Sequence, residues 1–316
     1  MYYDALKTFV TLAEVKNFTK TAEILLMSQP SVSMHIKNLE KEFQTKLFER
    51  SPKFLKITPT GEILYDRAKQ MIAIYEQTKQ DILDHHHSIK GELKIGASFT
   101  IGEYILPSLL FDLQADYPEL ELQAVIGNTE EIVQSVRRYK VDIGLIEGQT
   151  NEKDLSVHAF MQDELFIAAS SDHPLASQSE VTMADLQNQT WVTREVGSGT
   201  REYLNHVIRS NGLKVKSFLT ISSNQGIKET LMTGVGLSLL SRSVIERDVQ
   251  HGNLTVIKLK HQTFNRMLSY IYSPIMQDKK NVKIFINALN KRTNLEAGDE
   301  YDTGASNPPS SHNCLY

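Results

Sequence analysis

The segment NFTKTAEILLMSQPSVSMHIKNLEKEF, residues 17–43, is the most informative about the structure of the amino-terminal part of the chain. Its apolar residues recur at the spacing of an α-helix. Ser28 followed by Pro30 is typical of a helix start, because proline lacks the N–H that a first helical turn leaves unpaired. An earlier helix start is predicted at Thr19, with Thr19 as its N-cap. The segment therefore predicts two short helices joined by a tight turn.

The second of these helices has two unlike faces. One face is expected to be buried because its apolar residues are spaced four, three and four apart; they are Val32, Ile36, Leu39 and Phe43. The other face offers groups that can pair with base edges, thymine methyl groups or phosphates. It carries Gln29, Pro30, Ser31, Ser33, Met34 and Lys37. On composition alone, an ordinary amphipathic surface helix explains this face better than a DNA-binding helix does.

Two short strands and one long helix are predicted next. Apolar residues alternate between Lys46 and Thr58 around a basic turn, as in a wing. From Glu62 to about His87 the chain contains neither proline nor glycine, which predicts a long helix with a narrow apolar stripe. The stripe consists of Leu64, Ala68, Met71, Ile74, Tyr75, Thr78 and Ile82. It can pack against its own domain or against a second copy, and we favour a dimer seam because the nearby sequence offers no partner.

Charge is distributed unevenly along the chain. The net charge is −4, yet residues 1–60 hold nine Lys and Arg against six Asp and Glu. A basic surplus of this size suits nucleic acid, and it also suits a solvated surface. The only cysteine is Cys314, and we find neither a signal peptide nor a run of about 20 apolar residues. We therefore expect a cytoplasmic protein.

Strands and helices alternate from Gly91 onward, which predicts parallel βαβ units. The alternation starts again with a strand at Leu165, so two α/β lobes are expected. A last strand near Arg266 and a last helix near Leu289 are predicted to return to the first lobe. Adjacent acidic residues, such as Asp163 and Glu164, are interpreted as solvated surface.

Two loops rich in Ser and Thr each follow a predicted strand and open a helix. The first contains Ser98 and Thr100, and the second contains Ser198 and Thr200. Hydroxyls and free N–H groups at such positions can bind an anion, although each loop taken separately is more often a helix cap. Their matching placement makes a ligand cleft between the lobes an equally good explanation.

The order of these residues resembles the LysR-type transcriptional regulators over the chain up to about residue 290. The likeness rests on NFTKTAE at 17–23, MSQPSVS at 27–33, LFER at 47–50, LKITPTG at 55–61, GAS at 96–98, ILP at 105–107, DIGL at 142–145 and GVGL at 234–237. Thr21 departs from the family pattern, which usually has alanine there, and Met34 stands where arginine is frequent. The segments at Ser98 and at 195–201 look closest to members that control cysteine synthesis or carbon fixation.

The resemblance implies roles for particular residues. The helix-turn-helix would begin at Phe18 and end at Lys37, and the wing would carry phosphate contacts at Arg50 and Lys53. A small anionic effector would bind between the lobes, at Ser98, Thr100, Thr129, Ser198, Thr200 and Gln225. The linker helix would join two chains in a homodimer, and dimers would pair into a homotetramer.

The predicted architecture is α/β with a helix-rich amino terminus. A winged helix-turn-helix is expected over 1–58 and a linker or dimerisation helix over 59–88. An effector-binding domain with a two-lobed, periplasmic-binding-protein-like fold follows over 89–293, and a disordered tail covers 294–316. Lobe I is expected at about 91–161 and 266–293, and lobe II at about 162–265. The expected function is regulation of transcription from a double-stranded DNA operator, without enzymatic activity, cofactor, metal or membrane partner.

Two other functions remain open on the residues alone. A cytosolic small-molecule-binding protein would not need the polar face that begins at Gln29. A two-lobed α/β enzyme should show a cofactor loop or an acid–base pair in its cleft, and the chain has no Gly-x-Ser-x-Gly elbow. The run His85–His86–His87 does not suit a metal, because adjacent side chains on a helix point about 100° apart.

Overall fold

The computed structural model describes residues 2–51, 54–84 and 90–293. The predictions for Lys53, for the Arg50 side chain, for His85–His87 and for the tail from 294 onward lie outside what it describes. Among the described helices, none combines the length and the apolarity needed to cross a bilayer.

Three helices and a two-stranded hairpin form the amino-terminal part. They are α1 (Tyr2–Val15), α2 (Phe18–Ile24), α3 (Gln29–Glu42), β1 (Phe48–Ser51) and β2 (Phe54–Ile57). The two strands pair antiparallel, which confirms the predicted wing strands. Phe9, Leu12, Ile36 and Leu39 lie at the centre of the core beneath them and are at most 1% exposed.

The observed bounds of α2 and α3 show that two sequence predictions are wrong. Ser28 caps α3 as expected, its Oγ accepting a hydrogen bond from the Ser31 N–H at 3.2 Å. Thr19 does not cap α2: the helix already begins at Phe18, and Oδ1 of Asn17, two residues before Thr19, accepts from the Lys20 N–H at 2.9 Å. Phe43 is not on the buried face. Because α3 ends before it, Phe43 is 42% exposed.

The long helix α4 (Pro59–Asp84) contains 26 residues. It starts three residues before the predicted Glu62, because Thr58 Oγ1 accepts a hydrogen bond from the Gly61 N–H at 3.0 Å. Its apolar stripe divides into two parts. Leu64 and Ala68 are buried in the amino-terminal core, whereas Met71 and Ile74 are 49% and 47% exposed. The first part anchors α4 to its own domain, and the second part is uncovered.

Strands and helices alternate through the rest of the described chain. The strands are β3 (Gly91–Ser98), β4 (Leu120–Gly127), β5 (Ile143–Glu147), β6 (Ser156–Ser170), β7 (Gln189–Thr193), β8 (Val215–Thr220), β9 (Ser238–Ser241), β10 (Leu254–Val256) and β11 (Phe264–Tyr272). The helices are α5 (Phe99–Tyr104), α6 (Leu106–Asp116), α7 (Thr129–Arg137), α8 (Gly199–Ser210), α9 (Asn224–Met232), α10 (Arg242–Gln250) and α11 (Lys280–Thr293). The sequence did not predict α10 or β10.

One seven-stranded sheet runs in the order β10-β6-β11-β5-β3-β4, with β9 also paired to β6. The pairs β3–β4, β3–β5 and β7–β8 are parallel, which confirms the predicted βαβ units. Strand β6 does not begin at Leu165 as predicted. It begins at Ser156 and pairs with β11 along most of its length before it reaches β9 and β10. The two lobes are therefore joined by a continuous pair of strands.

Candidate DNA-binding and effector sites

The polar face of α3 lies on the surface. Gln29, Pro30 and Lys37 are exposed, and Met34 is 55% exposed. Ser31 and Ser33 are half-buried beside the cap. The opposite face, with Val32, Ile36 and Leu39, is at most 1% exposed. The exposed α3 side chains that are predicted to contact DNA are thus available to a partner.

Buried polar contacts hold α3 in place. The Glu40 carboxylate is 7% exposed and accepts a hydrogen bond from the Leu47 N–H at 3.1 Å, which ties the helix to the wing. At the other end of the motif, Thr21 is fully buried and donates its hydroxyl to the Asn17 carbonyl at 2.8 Å. This bond gives a partner to the Thr21 hydroxyl, a group that the alanine usual in the family would lack.

Three neighbouring parallel strands of lobe I end at one place. In the register of the sheet Ser98 of β3 faces Gly127 of β4, and Glu147 ends β5 on the other side of β3. Ser98 is 1% exposed. Its Oγ and the Oγ1 of Thr129 are buried without a hydrogen-bond partner among the described residues. The carboxyl ends of parallel strands are a common ligand site, and here they hold two unused hydroxyls.

The carboxylate of Glu147 accepts three hydrogen bonds at this junction. Its Oε1 accepts from the Thr100 N–H at 3.2 Å, and its Oε2 accepts from the Thr200 hydroxyl and from Arg266, both at 2.8 Å. Burial by itself would raise the pKa of Glu147, but the Arg266 charge and these hydrogen bonds outweigh burial and lower the pKa to about 2. Glu147 is therefore ionised at neutral pH.

The second loop lies directly against lobe I. The Glu130 N–H donates to the Gly197 carbonyl at 3.1 Å. A Cβ placed on Gly199 would come within 2.6 Å of the Glu147 carbonyl oxygen and 3.1 Å of Thr129 Oγ1, so this contact requires glycine. Ser198 and Thr200 flank Gly199 and are buried. Five of the six residues predicted to bind an effector lie at this junction: Ser98, Thr100, Thr129, Ser198 and Thr200.

Gln225 is placed differently. Its side chain is exposed and donates to Glu229 at 2.7 Å along α9. The preceding residue, Asn224, is 1% exposed and accepts a hydrogen bond from Arg194 at 3.3 Å. The Arg194 guanidinium of lobe II lies 4.2 Å from the centroid of the Phe99 ring, which belongs to lobe I. Asn224 and Arg194 are thus the inter-lobe residues that the sequence interpretation missed.

The interpretation of Asp163 as solvated surface is wrong. Asp163 is 5% exposed and accepts hydrogen bonds from Arg266 at 2.8 Å and from Ser241 at 2.6 Å. Arg266 therefore joins Asp163 on β6 to Glu147 on β5. Among the described residues, no group of three or more His, Cys, Asp and Glu side chains is arranged to hold a metal ion.

This fold and these two surfaces define a DNA-binding protein with a ligand-sensing domain. Residues 3–62 match the model of the bacterial regulatory helix-turn-helix proteins of the LysR family, and residues 86–294 match the LysR substrate-binding domain. The chain belongs to the LysR family of transcriptional regulators. It is 61% identical to the HTH-type transcriptional regulator CysL of Bacillus subtilis (strain 168), over 92% of this chain and 97% of that protein.

Further relatives agree with this assignment. A probable RuBisCO transcriptional regulator of Phaeodactylum tricornutum is 28% identical over 92% of this chain and 96% of its own length. The solved regulatory domain of CcmR from Synechocystis, in complex with 2-PG, is 25% identical, with a TM-score of 0.61 over 65% of this chain and 98% of that domain. Full-length OxyR from Pseudomonas aeruginosa shares the fold, with a TM-score of 0.73 over 92% of this chain and 94% of its own. The predicted family and fold are confirmed, and CysL and the RuBisCO regulator are both named as transcriptional regulators.

Proposed function

We propose that the exposed face of α3 and the wing bind an operator, and that a small anion at the junction of the two lobes controls this binding. The effector would contact Ser98, Thr100, Thr129, Ser198 and Thr200. The main observation behind this proposal is a pair of buried hydroxyls, Ser98 Oγ and Thr129 Oγ1, which have no hydrogen-bond partner among the described residues. Buried polar atoms are normally paired, and a bound ligand would pair these two.

The contacts of Glu147 support an anionic effector. Its carboxylate is held by one backbone N–H, one hydroxyl and one guanidinium, a donor set that binds a negative charge well. Glu147 is ionised and already occupies these donors, so an anion would bind to them only by displacing the Glu147 carboxylate. Because they belong to both lobes, the exchange would alter how the lobes meet.

A change at this junction can reach the DNA through the spacing of protomers. We propose a homodimer through α4, supported by its exposed apolar residues Met71, Ile74, Tyr75 and Ile82. Separate exposed apolar residues on the effector domain, Phe111, Val125, Phe218 and Leu219, support a second contact between chains. Two different self-complementary contacts per chain generate a tetramer. An operator-binding regulator of this kind would work in the cytoplasm.

The effector proposal is tested by calorimetric titration of the full chain with small anions, starting with 2-PG, sulfate and short dicarboxylates. At least one should bind and raise the melting temperature. The variants Ser98→Ala and Thr129→Val should weaken that binding without lowering the stability of the free protein, because neither hydroxyl has a hydrogen-bond partner among the described residues. Gln225→Ala is the matched control on the exposed side of α9 and should bind normally. Unchanged affinity in both hydroxyl variants would place the effector elsewhere.

A further inference from the structure

Leu26 lies in the turn between α2 and α3 and is the most exposed large apolar side chain among the described residues, at 94%. Its backbone is left-handed, with φ 51°. The Leu26 N–H donates to the Glu23 carbonyl at 3.2 Å, and the Met27 N–H donates to the Ala22 carbonyl at 2.9 Å. This pair of hydrogen bonds is a Schellman motif, whose left-handed position usually holds glycine because a side chain is strained there. Glycine would remove both the strain and the exposed apolar surface.

The motif itself does not require leucine. Gln44 occupies the equivalent position after α3, with φ 51° and a hydrogen bond from the Thr45 N–H to the Glu40 carbonyl at 3.1 Å. The other described non-glycine residues with positive φ all carry a polar group; they are Lys16, Gln44, Tyr139, Asn188 and His261. Leu26 is the exception among them. Nothing among the described residues accounts for leucine at this position.

The position of Leu26 points to the partner. It lies two residues before Ser28, the cap of α3, and three before the exposed Gln29. The start of a recognition helix is the part that meets base edges, so Leu26 continues the proposed DNA-contacting surface. Leucine has no group for a phosphate or for a polar base edge. The apolar group that the major groove presents is the C5 methyl of thymine.

We propose that Leu26 packs against a thymine methyl group in the operator and makes the protein prefer a T·A pair at that position. The inference rests on the proposed docking of α3 in the major groove. Burying one methyl group corresponds to roughly a fourfold gain in affinity for each half-site. The bound duplex would cover the apolar side chain that the free protein leaves in water.

The test uses a duplex enriched from a random-sequence library by the full-length protein. Each thymine is then replaced singly by deoxyuridine, which lacks only the methyl group, and the Kd is measured by fluorescence anisotropy at one salt concentration. For the wild type, one position per half-site should lose roughly fourfold. Leu26→Gly should bind the thymine duplex about as weakly as the wild type binds the uracil duplex, and should no longer distinguish the two.

Gln44→Gly is the matched control, because it relieves the same backbone conformation at the far end of α3. Both glycine variants should melt at a higher temperature than the wild type, and only Leu26→Gly should lose the thymine preference. The proposal is overturned if Leu26→Gly has the same ratio of Kd values for the uracil and thymine duplexes as the wild type, whether or not it binds both duplexes more weakly. Gln29→Ala distinguishes failure of the Leu26 contact from failure of the proposed docking of α3. If Gln29→Ala abolishes binding while Leu26→Gly keeps the wild-type ratio of Kd values, α3 docks as proposed and Leu26 does not contact a methyl group.

Discussion

Arg266 and Glu147 form a buried ion pair in which Nη1 of the guanidinium lies 2.8 Å from Oε2 of the carboxylate. Arg266 lies on β11, a strand that runs alongside β6 between the lobes, and Glu147 ends β5 of lobe I. The same Nη1 donates to the Thr200 hydroxyl at 3.0 Å, so the pair also reaches α8 of lobe II. One guanidinium thereby connects both lobes and the strand pair β6–β11 at the proposed effector site.

The ion pair makes stability depend on acid in a defined direction. The pKa of Glu147 is lowered to about 2, so its stabilising contribution is present above its ordinary pKa near 4.5 and is lost as the pH falls toward 2. A shift of this size corresponds to a contribution on the order of 3 kcal/mol at pH 7. We expect Glu147→Gln to lower the free energy of unfolding at pH 7 and to differ much less from the wild type at pH 3. Denaturant unfolding at both pH values measures the difference, and a gap that does not shrink in acid would contradict the assignment.

The cap of α2 provides a second prediction. Asn17 Oδ1 accepts the Lys20 N–H, whereas Thr19 makes no capping bond. Asn17→Ala should therefore lower the free energy of unfolding by about 1 kcal/mol, and Thr19→Ala should change it by less than half of that. Thermal melts of the two variants side by side show which of the two residues caps α2. A larger loss in Thr19→Ala would restore Thr19 as the cap.

The helix-turn-helix could be predicted from local pattern, because apolar spacing and the Ser28 cap are short-range signals. The choice of Asn17 over Thr19 could not, since both residue types are good caps and only the helix start decides between them. The burial of Leu64 was also hidden, because it depends on packing of α4 against a core formed far earlier in the chain.

The polar junction between the lobes was predicted only in part. Ser and Thr at strand ends were visible, but the ion pairs of Arg266 join residues 103 and 119 positions apart. The sequence around Asp163 does contain one local signal of this burial. Asp163 shares the period-two face of β6 with Leu165 and Ile167, both 1% exposed, and a carboxylate on a buried face needs a cationic partner.

Lys37 provides a prediction for DNA binding. Its side chain is exposed on the polar face of α3, and a lysine that contacts a phosphate releases about one counterion on binding. Lys37→Ala should weaken operator binding and reduce the slope of log Kd against log salt by about one for each protomer. Lys216→Ala, which removes an exposed lysine from β8 of the effector domain, is the control and should leave the slope unchanged. If the slope of Lys37→Ala matches that of the wild type, Lys37 does not contact a DNA phosphate.

The uncovered part of α4 provides the last prediction. Met71 and Ile74 are about half exposed, while Leu64 and Ala68 on the same helix are buried within their own domain. A glutamate at both Met71 and Ile74 would be repeated across a two-fold axis, so like charges would face one another in place of apolar contact. We expect light scattering to show half the mass of the wild type. The melting temperature of the amino-terminal domain should change little, because Leu64 and Ala68 are untouched. The control is Asp66→Lys, which changes the charge at an exposed position on a different side of α4 and should keep the wild-type mass. If the double glutamate variant also keeps the wild-type mass, the chains do not dimerise through this part of α4.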